Sequence, residues 1–291
     1  YGFGLAGIGM ALGQVVYVYG IKFLGSVGDF IGNEDSPNKD LLKKPLNSVE
    51  KDRMLVMFLS FLIIIVFWGA FEQAGGLMSL YTEQKTNRIL SFSLPFIGNE
   101  VPAAVFQSIN AFFIIVLGTA VGSFWHKWKN KGKESSSLFK MAIGVIIMAF
   151  GFLFMSKAAS EVLMDGSEVA EKSAMIWLVL AYLFHTIGEL CASPVALSFI
   201  TKLAPIKYAS FMMGAYFAAT GLGNKVAGYI GGLSENAGDF EVFTGIAVTC
   251  TLFGILIILF AKPDSPIGKL LKPSIKKFKL NIIINVLIII L

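Results

Sequence analysis

Long apolar blocks recur along the chain and are separated by short polar stretches. A block of about 20 apolar residues has the length needed to cross a hydrocarbon core roughly 30 Å thick. Such spans form helices, because a segment in lipid must satisfy its backbone hydrogen bonds internally. The pattern predicts an all-α membrane protein with seven spans: 1–20, 54–80, 101–128, 139–160, 174–203, 208–233 and 241–261.

The charges of the loops alternate along the chain. Lysine and arginine are concentrated in every second loop, namely in 21–53, 126–140, 202–207 and 262–279. The loops between them are balanced or acidic, namely 81–100, 161–173 and 234–240. The positive-inside rule places the first set in the cytoplasm, and it places the N-terminal end of the chain outside.

The composition supports a membrane protein. The chain is 55% hydrophobic and only 15% charged, with a mean hydropathy of +0.72, whereas soluble domains have about a quarter charged residues. The net charge of +5 resides in loops, where it indicates orientation rather than a nucleic-acid surface. We expect a multi-pass protein of the cytoplasmic membrane, in contact with the lipid bilayer and with no nucleic acid.

The sequence gives no indication of catalytic or metal chemistry. Cys191 and Cys250 lie inside apolar segments without a CxxC partner, which favours packed small side chains. His126 and His185 are too far apart in the sequence to indicate a zinc site. No nucleophile–base set or cofactor loop is present, so neither an enzyme nor a cofactor is expected.

Two spans carry an interior glutamate. A charge at mid-bilayer costs roughly 2.5–3.5 kcal/mol on insertion scales, so such residues usually face a cavity or a partner. Helical spacing places Trp68 on one face with Glu72, and His185 on one face with Glu189. Together with Asn110 on a third span, these carboxylates favour a water-filled cavity. The alternative is that each glutamate is a structural hydrogen-bond partner.

Two other polar residues leave alternatives open. His185 lies one turn before Glu189, so it either tunes the proton affinity of the carboxylate or is a satisfied imidazole lining the cavity. Lys225 either extends to the membrane surface or pairs with Glu72.

The same spans contain packing signals. Gly228 and Gly232 are four residues apart, a spacing that is typical of helix packing in membranes. The span 139–160 has charges only near its ends, at Lys140 and Lys157, and we expect it to be peripheral and to face lipid.

Four stretches of the sequence form a recognisable set: GFGLAGIGMALG (2–13), FWGAFEQAGG (67–76), VFQSINAFFIIVLGT (105–119), and GELCASPVALSFITKLAP with FMMGAYFAATGLGN across 188–224. Together they resemble the proton-coupled oligopeptide transporter family of the major facilitator superfamily. The resemblance implies the C-terminal six-helix bundle of that superfamily and one preceding transmembrane helix. The implied organisation is a sixth-helix-like span at 1–20, a cytoplasmic linker at 21–53, the bundle at 54–261, and a basic cytoplasmic tail with an apolar end at 262–291.

The resemblance also implies roles for single residues. Glu72 matches a seventh-helix glutamate that pairs with an arginine of the N-terminal half during gating, and His185 is assigned to the same proton-coupling group. Asn110 and Glu189 match the residues that hold the amino terminus of the peptide. The remaining implied substrate contacts are Trp68, Ser193 and Tyr216. Tyr216 stands where the family usually has tryptophan, which puts the side-chain selectivity of the pocket in doubt.

The implied function is proton-coupled symport of di- and tripeptides by alternating access, with the proton gradient as driving force. This chain would supply the C-terminal half of the cavity, and an N-terminal six-helix bundle would be its missing partner. The first residue is Tyr1 rather than methionine, so we expect a truncated chain. Two alternatives remain, transport of another solute such as nitrate and a fragment that does not transport.

Overall fold

The structure, a computed structural model, describes residues 2–25, 45–94, 98–133, 136–166 and 168–260. The helices are α1 (Gly2–Leu24), α2 (Ser48–Phe71), α3 (Leu77–Lys85), α4 (Ala103–Asn130), α5 (Ser137–Glu161), α6 (Met175–Leu203), α7 (Ala209–Ala237) and α8 (Asp239–Phe260). Short 3₁₀ turns cover Glu72–Ala74 and Ile206–Tyr208. The predicted tail at 262–291 and most of the predicted linker lie outside the described residues.

Three pairs of short strands lie between the helices. They consist of β1 (Thr86–Asn87), β2 (Ile89–Leu94), β3 (Gly98–Glu100), β4 (Leu163–Asp165), β5 (Glu168–Glu171) and β6 (Ser173–Ala174). Strands β2 and β3 pair antiparallel, as do β4 and β5, while β1 and β6 form a parallel pair. All six strands fall in loops that the charge pattern predicts to be outside.

Six of the described segments are long and apolar enough to cross a membrane, judged by length and composition. They are Gly4–Leu24, Ser48–Lys85, Ala103–Asn130, Ser137–Glu161, Met175–Leu203 and Asp239–Phe260. The prediction of seven spans is met by six on this criterion. The remaining predicted span, 208–233, corresponds to α7, which has 29 residues. Its glycines, and Asn224 and Lys225 in its middle, lower the mean hydropathy of this helix.

The described helices belong to two compact units, one ending at Leu46 and one beginning at Asn47. The first contains α1. In the second, α5 packs against α6 and α8, α2 packs against α7, and α4 packs against α6.

A capping box sets the start of α2. The Asn47 side chain accepts a hydrogen bond from the Glu50 backbone N–H, and the Glu50 carboxylate accepts one from the Asn47 backbone N–H, both at 2.8 Å. This reciprocal pair satisfies two backbone donors at the helix end. The helix therefore begins at Ser48, before the predicted start of the span at Met54.

The expectation that the span 139–160 faces lipid is wrong. In α5, 56% of the apolar window is buried, the largest share among the six candidate spans. Glycines permit this close packing, since a Cβ at Gly144 would lie 2.7 Å from the Gly188 carbonyl oxygen on α6. A Cβ at Gly188 would in turn lie 2.6 Å from the Gly144 oxygen. A lack of interior charge therefore reflects burial against protein here.

The glycines that pack α2 against α7 also differ from the predicted ones. Among the described residues, and apart from the chain neighbours and the backbone of the same helix, no atom lies within 4 Å of a Cβ placed on Gly228 or Gly232. A Cβ on Gly223 would instead lie 2.8 Å from the Trp68 Cβ and 3.0 Å from the Ile65 carbonyl oxygen. The close approach of the two helices therefore depends on Gly223.

Ion pairs hold the strand-bearing end of the bundle together. Lys85, at the end of α3, forms a 2.6 Å ion pair with Asp239 at the start of α8. The buried Arg88 guanidinium contacts the carboxylates of Glu83 and Glu100 at 3.1 and 3.0 Å. These pairs connect the hairpin β2–β3 to α3, and α3 to α8.

We expect Gly188→Ala to destabilise the bundle by about 1–3 kcal/mol, because the added methyl group would overpack the α5–α6 contact. Thermal unfolding of the purified protein in detergent measures this as a lowered Tm. Gly122→Ala on α4 is the matched control, since nothing lies within 4 Å of its added Cβ. Equal Tm values for the two variants would contradict this packing.

Candidate functional site

The second span is interrupted in its middle. Helix α2 ends at Phe71, the 3₁₀ turn covers Glu72–Ala74, and α3 begins at Leu77. The predicted span 54–80 lies within the candidate span Ser48–Lys85, but its helix is interrupted at this point. The adjacent Gly75 and Gly76 explain the break, because each glycine costs about 1 kcal/mol relative to alanine within a helix.

Gln73 anchors the break to α7. Its side chain is 1% exposed, and Nε2 donates hydrogen bonds to the carbonyl oxygens of Gly69 and Ala227, both at 3.0 Å. The second of these bonds crosses from the α2 side of the break to α7. One amide group therefore fixes both the local geometry of the break and its neighbouring helix.

The Ala74 carbonyl oxygen, on the other side of the break, receives two side-chain donors. Ser79 Oγ of α3 donates at 2.9 Å and Tyr182 Oη of α6 donates at 3.4 Å. Ser79 Oγ accepts in turn from Gln107 Nε2 of α4 at 2.7 Å. The break is therefore linked through side chains to both α4 and α6.

Asn110 of α4 and Glu189 of α6 meet next to this network. Asn110 Nδ2 donates to Glu189 Oε2 at 3.0 Å and to Thr186 Oγ1 at 3.1 Å. Thr186 Oγ1 itself donates to the Tyr182 carbonyl oxygen at 2.8 Å, and Thr186 is fully buried. Three polar side chains from two helices thus form one hydrogen-bonded group.

The hydrogen bonds of Thr186 determine how Asn110 is oriented. A hydroxyl has a single donor, and that of Thr186 is used on the Tyr182 carbonyl. Thr186 must therefore accept from Asn110, whose NH₂ group faces Thr186 and Glu189. Among the described residues, no donor reaches Asn110 Oδ1 or Glu189 Oε1, so the pair presents two free acceptors. Acceptors of this kind are suited to an ammonium group.

Glu72 lies at the break, half-buried, on the first residue of the 3₁₀ turn. It is two residues before Ala74, whose carbonyl oxygen accepts a hydrogen bond from Tyr182 of α6, the helix that carries Glu189. Within the described ranges neither Glu72 nor Lys225 forms an ion pair, and Lys225 is exposed. The structure thus places Glu72 at a break that is hydrogen-bonded to α6. Lys225, the partner considered from the sequence, does not pair with it within the described residues.

The other predicted substrate contacts are not joined to this pair by hydrogen bonds within the described part of the chain. Trp68 is half-buried on α2, with two phenylalanine rings edge-on beside it. Tyr216 is 5% exposed and belongs to the core of the bundle. Ser193 is half-buried on α6.

His185 differs from both sequence interpretations. It is 1% exposed, its ring centre lies 4.5 Å from that of Phe152, and its ring covers Gly151 of α5. Neither ring nitrogen has a hydrogen-bond partner among the residues that the structure describes. Although His185 is one turn before Glu189, it faces α5 and not the Asn110 side of α6. It is therefore neither a satisfied imidazole lining a cavity nor a hydrogen-bond partner of Glu189.

Comparison with known proteins identifies the family. The sequence pattern of the POT family matches residues 34–244. The chain belongs to the POT family. It is 38% identical over 203 residues to the peptide transporter YePEPT of Yersinia enterocolitica, covering 70% of this chain and 38% of that relative. It is 27% identical over 221 residues to a di-/tripeptide transporter of Lactococcus lactis, covering 76% of this chain and 42% of that relative.

Solved structures share the fold with this POT chain. A mutant of a peptide transporter POT in complex with alafosfalin matches with a TM-score of 0.70 at 23% identity, covering 93% of this chain and 62% of that one. A POT family transporter in complex with 5-aminolevulinic acid matches with a TM-score of 0.66 at 20% identity, covering 92% and 55%. This POT chain spans less than half the length of the two relatives above, and these relatives are transporters rather than enzymes.

Two hydroxyl groups of the site were missed by the sequence analysis of this POT chain. Tyr182 and Thr186 lie in an apolar span and look like ordinary core residues. The available signal is their spacing, because Thr186 is four residues after Tyr182 and three before Glu189. Residues three and four apart are neighbours on a helix.

We expect Thr186→Val to destabilise the POT bundle by roughly 0.5–2 kcal/mol, because Asn110 loses one hydrogen-bond acceptor. Thr201→Val is the matched control, since the Thr201 hydroxyl bonds only to carbonyls of its own helix. Unfolding in detergent should also show non-additive effects when Thr186→Val is combined with Asn110→Leu. Strict additivity would contradict the coupling of the two side chains.

Proposed function

We propose that the intact protein carrying this chain is a proton-driven symporter of di- and tripeptides in the cytoplasmic membrane. This chain would form the C-terminal half of the cavity, and an N-terminal six-helix bundle would form the other half. The observation that carries the proposal is the Asn110–Glu189 pair, held at 3.0 Å with two free acceptor atoms. The names of the related transporters support peptides as the substrate class.

The pair is suited to the amino terminus of a peptide. An ammonium group has three donors and no acceptor, so Glu189 Oε1 and Asn110 Oδ1 can each take one N–H. The carboxylate adds charge-assisted strength to its bond. An anion such as nitrate would meet a carboxylate and an amide oxygen, and like charges across a binding site are unfavourable.

The first test combines a change in the protein with a change in the substrate. In liposomes containing the full-length protein, Glu189→Gln should weaken dipeptide binding roughly 10- to 100-fold, which corresponds to the loss of about 1.5–3 kcal/mol from a charged hydrogen bond. N-acetylation of the dipeptide should cause a similar loss in the wild type, and little further loss in the variant.

The control for this test is Glu168→Gln, which removes an exposed carboxylate from strand β5. It should leave uptake of both substrates unchanged. If Glu189→Gln still discriminates between the free and the acetylated dipeptide as strongly as the wild type does, Glu189 does not hold the amino terminus.

Glu72 is our candidate for the proton-coupling residue. His185 is left out of this role because it is buried against α5 and faces away from the Asn110–Glu189 pair. Glu72 lies at the helix break, half-buried and two residues from the Ala74 carbonyl group that accepts a hydrogen bond from Tyr182. It would alternate between an arginine of the other bundle and a proton as the two bundles rock around the substrate. A carboxylate that loses its cation in a low-dielectric site takes up a proton more readily.

For Glu72→Gln we expect loss of dipeptide accumulation driven by a pH gradient, while exchange of labelled for unlabelled dipeptide at equal pH continues. An amide can donate and accept hydrogen bonds, but it does not carry the proton. Accumulation at the wild-type level in this variant would remove Glu72 from the coupling mechanism, and loss of both activities would indicate a binding or folding role instead.

A further inference from the structure

An apolar groove lies on the bundle away from the proposed peptide site. It has a volume of about 430 Å³ and is formed by α4, α5 and α6, with walls that include Val121, Trp125, Ile143 and Cys191. Such a volume lies within the range of small-molecule sites. The hydrogen-bonded group around Glu189 contributes none of its residues to this groove.

Lysines lie over two of the aromatic rings that line the groove. Lys140 Nζ is 5.3 Å from the centre of the Trp125 ring, and Lys133 Nζ is 4.3 Å from the centre of the Trp128 ring. The end of α4 and the start of α5 bring these residues together. The apolar groove is therefore bordered by cations at the end of the helices, where a membrane surface would lie.

The cations at this end are not neutralised by described carboxylates. Lys129 lies in the last turn of α4, Lys140 in the first turn of α5 and Lys202 in the last turn of α6. None of these three lysines forms an ion pair with a carboxylate in the described ranges. Each of the three helices that line the groove therefore carries a lysine at this end, and within the described ranges none of these three lysines is paired with a carboxylate.

We propose that this groove binds an anionic phospholipid of the bilayer, with an acyl chain along the apolar wall and the phosphate between Lys129, Lys140 and Lys202. The acyl chain fits the wall by van der Waals packing, which does not distinguish one lipid class from another. The selectivity comes from the headgroup, because basic pockets between transmembrane helices attract anionic lipids. Tryptophan is suited to this depth, since its ring is apolar and its N–H is polar.

Native mass spectrometry of the purified protein tests the proposal by resolving individual bound lipids. Phosphatidylglycerol should bind at least about fivefold more tightly than phosphatidylcholine of the same acyl chains, given roughly fivefold for each lysine near the headgroup. The triple variant Lys129→Gln, Lys140→Gln and Lys202→Gln should reduce the affinity for phosphatidylglycerol to that for phosphatidylcholine. Val121→Trp, which fills the groove, should weaken binding of both lipids.

Lys207→Gln is the matched control, since Lys207 also lies over an aromatic ring, that of Tyr208, which does not line the groove. It should keep the preference for the anionic lipid. Equal binding of the two lipids by the wild type would overturn the proposal, as would a preference that survives in the triple variant. The readout is lipid binding, so the outcome is independent of peptide transport.

Discussion

The carbonyl oxygens at the interrupted second span constrain the whole arrangement of the site. Where such oxygens are buried away from water, an unsatisfied group costs several kcal/mol. The break between α2 and α3 therefore depends on side chains that replace backbone donors. Gln73 donates hydrogen bonds to the carbonyl oxygens of Gly69 and of Ala227 on α7. Ser79 and Tyr182 both donate to the carbonyl oxygen of Ala74. This requirement accounts for polar side chains on the neighbouring helices, such as Tyr182 on α6 and Gln107 on α4.

The same requirement links the break to the acceptor pair. Tyr182 contributes its hydroxyl to the break and its backbone carbonyl to Thr186. Thr186 in turn fixes the amide of Asn110, which contacts Glu189. The free acceptors of the site are thus oriented by a chain of hydrogen bonds that begins at the break. Partly satisfied networks of this kind are costly in a low-dielectric site, so each member has limited freedom to change.

The sequence was sufficient to predict where the membrane-spanning segments lie. It was not sufficient to predict where a helix is interrupted or which neighbouring helix a side chain faces. Apolar length predicted the spans, and the resemblance singled out Asn110 and Glu189, which the structure brings into contact. The helix break was missed because apolar length predicts a span but does not show where its helix is interrupted, here at Gly75 and Gly76. Periodicity also placed His185 with Glu189, because residues one turn apart differ in direction by only a fraction of a turn. Which neighbour each one faces depends on Gly151, a small residue on another helix.

Helix α6 shows how packing and chemistry are separated in this bundle. On one side Gly188 meets Gly144 so closely that backbone oxygens line the contact with α5. Well-packed interiors of this kind do not deform continuously, so α5 and α6 form a rigid pair. On the other side, α6 reaches the helix break and α4 through side-chain hydrogen bonds. These bonds can exchange partners without overpacking, and we therefore expect relative movement at the break rather than between α5 and α6.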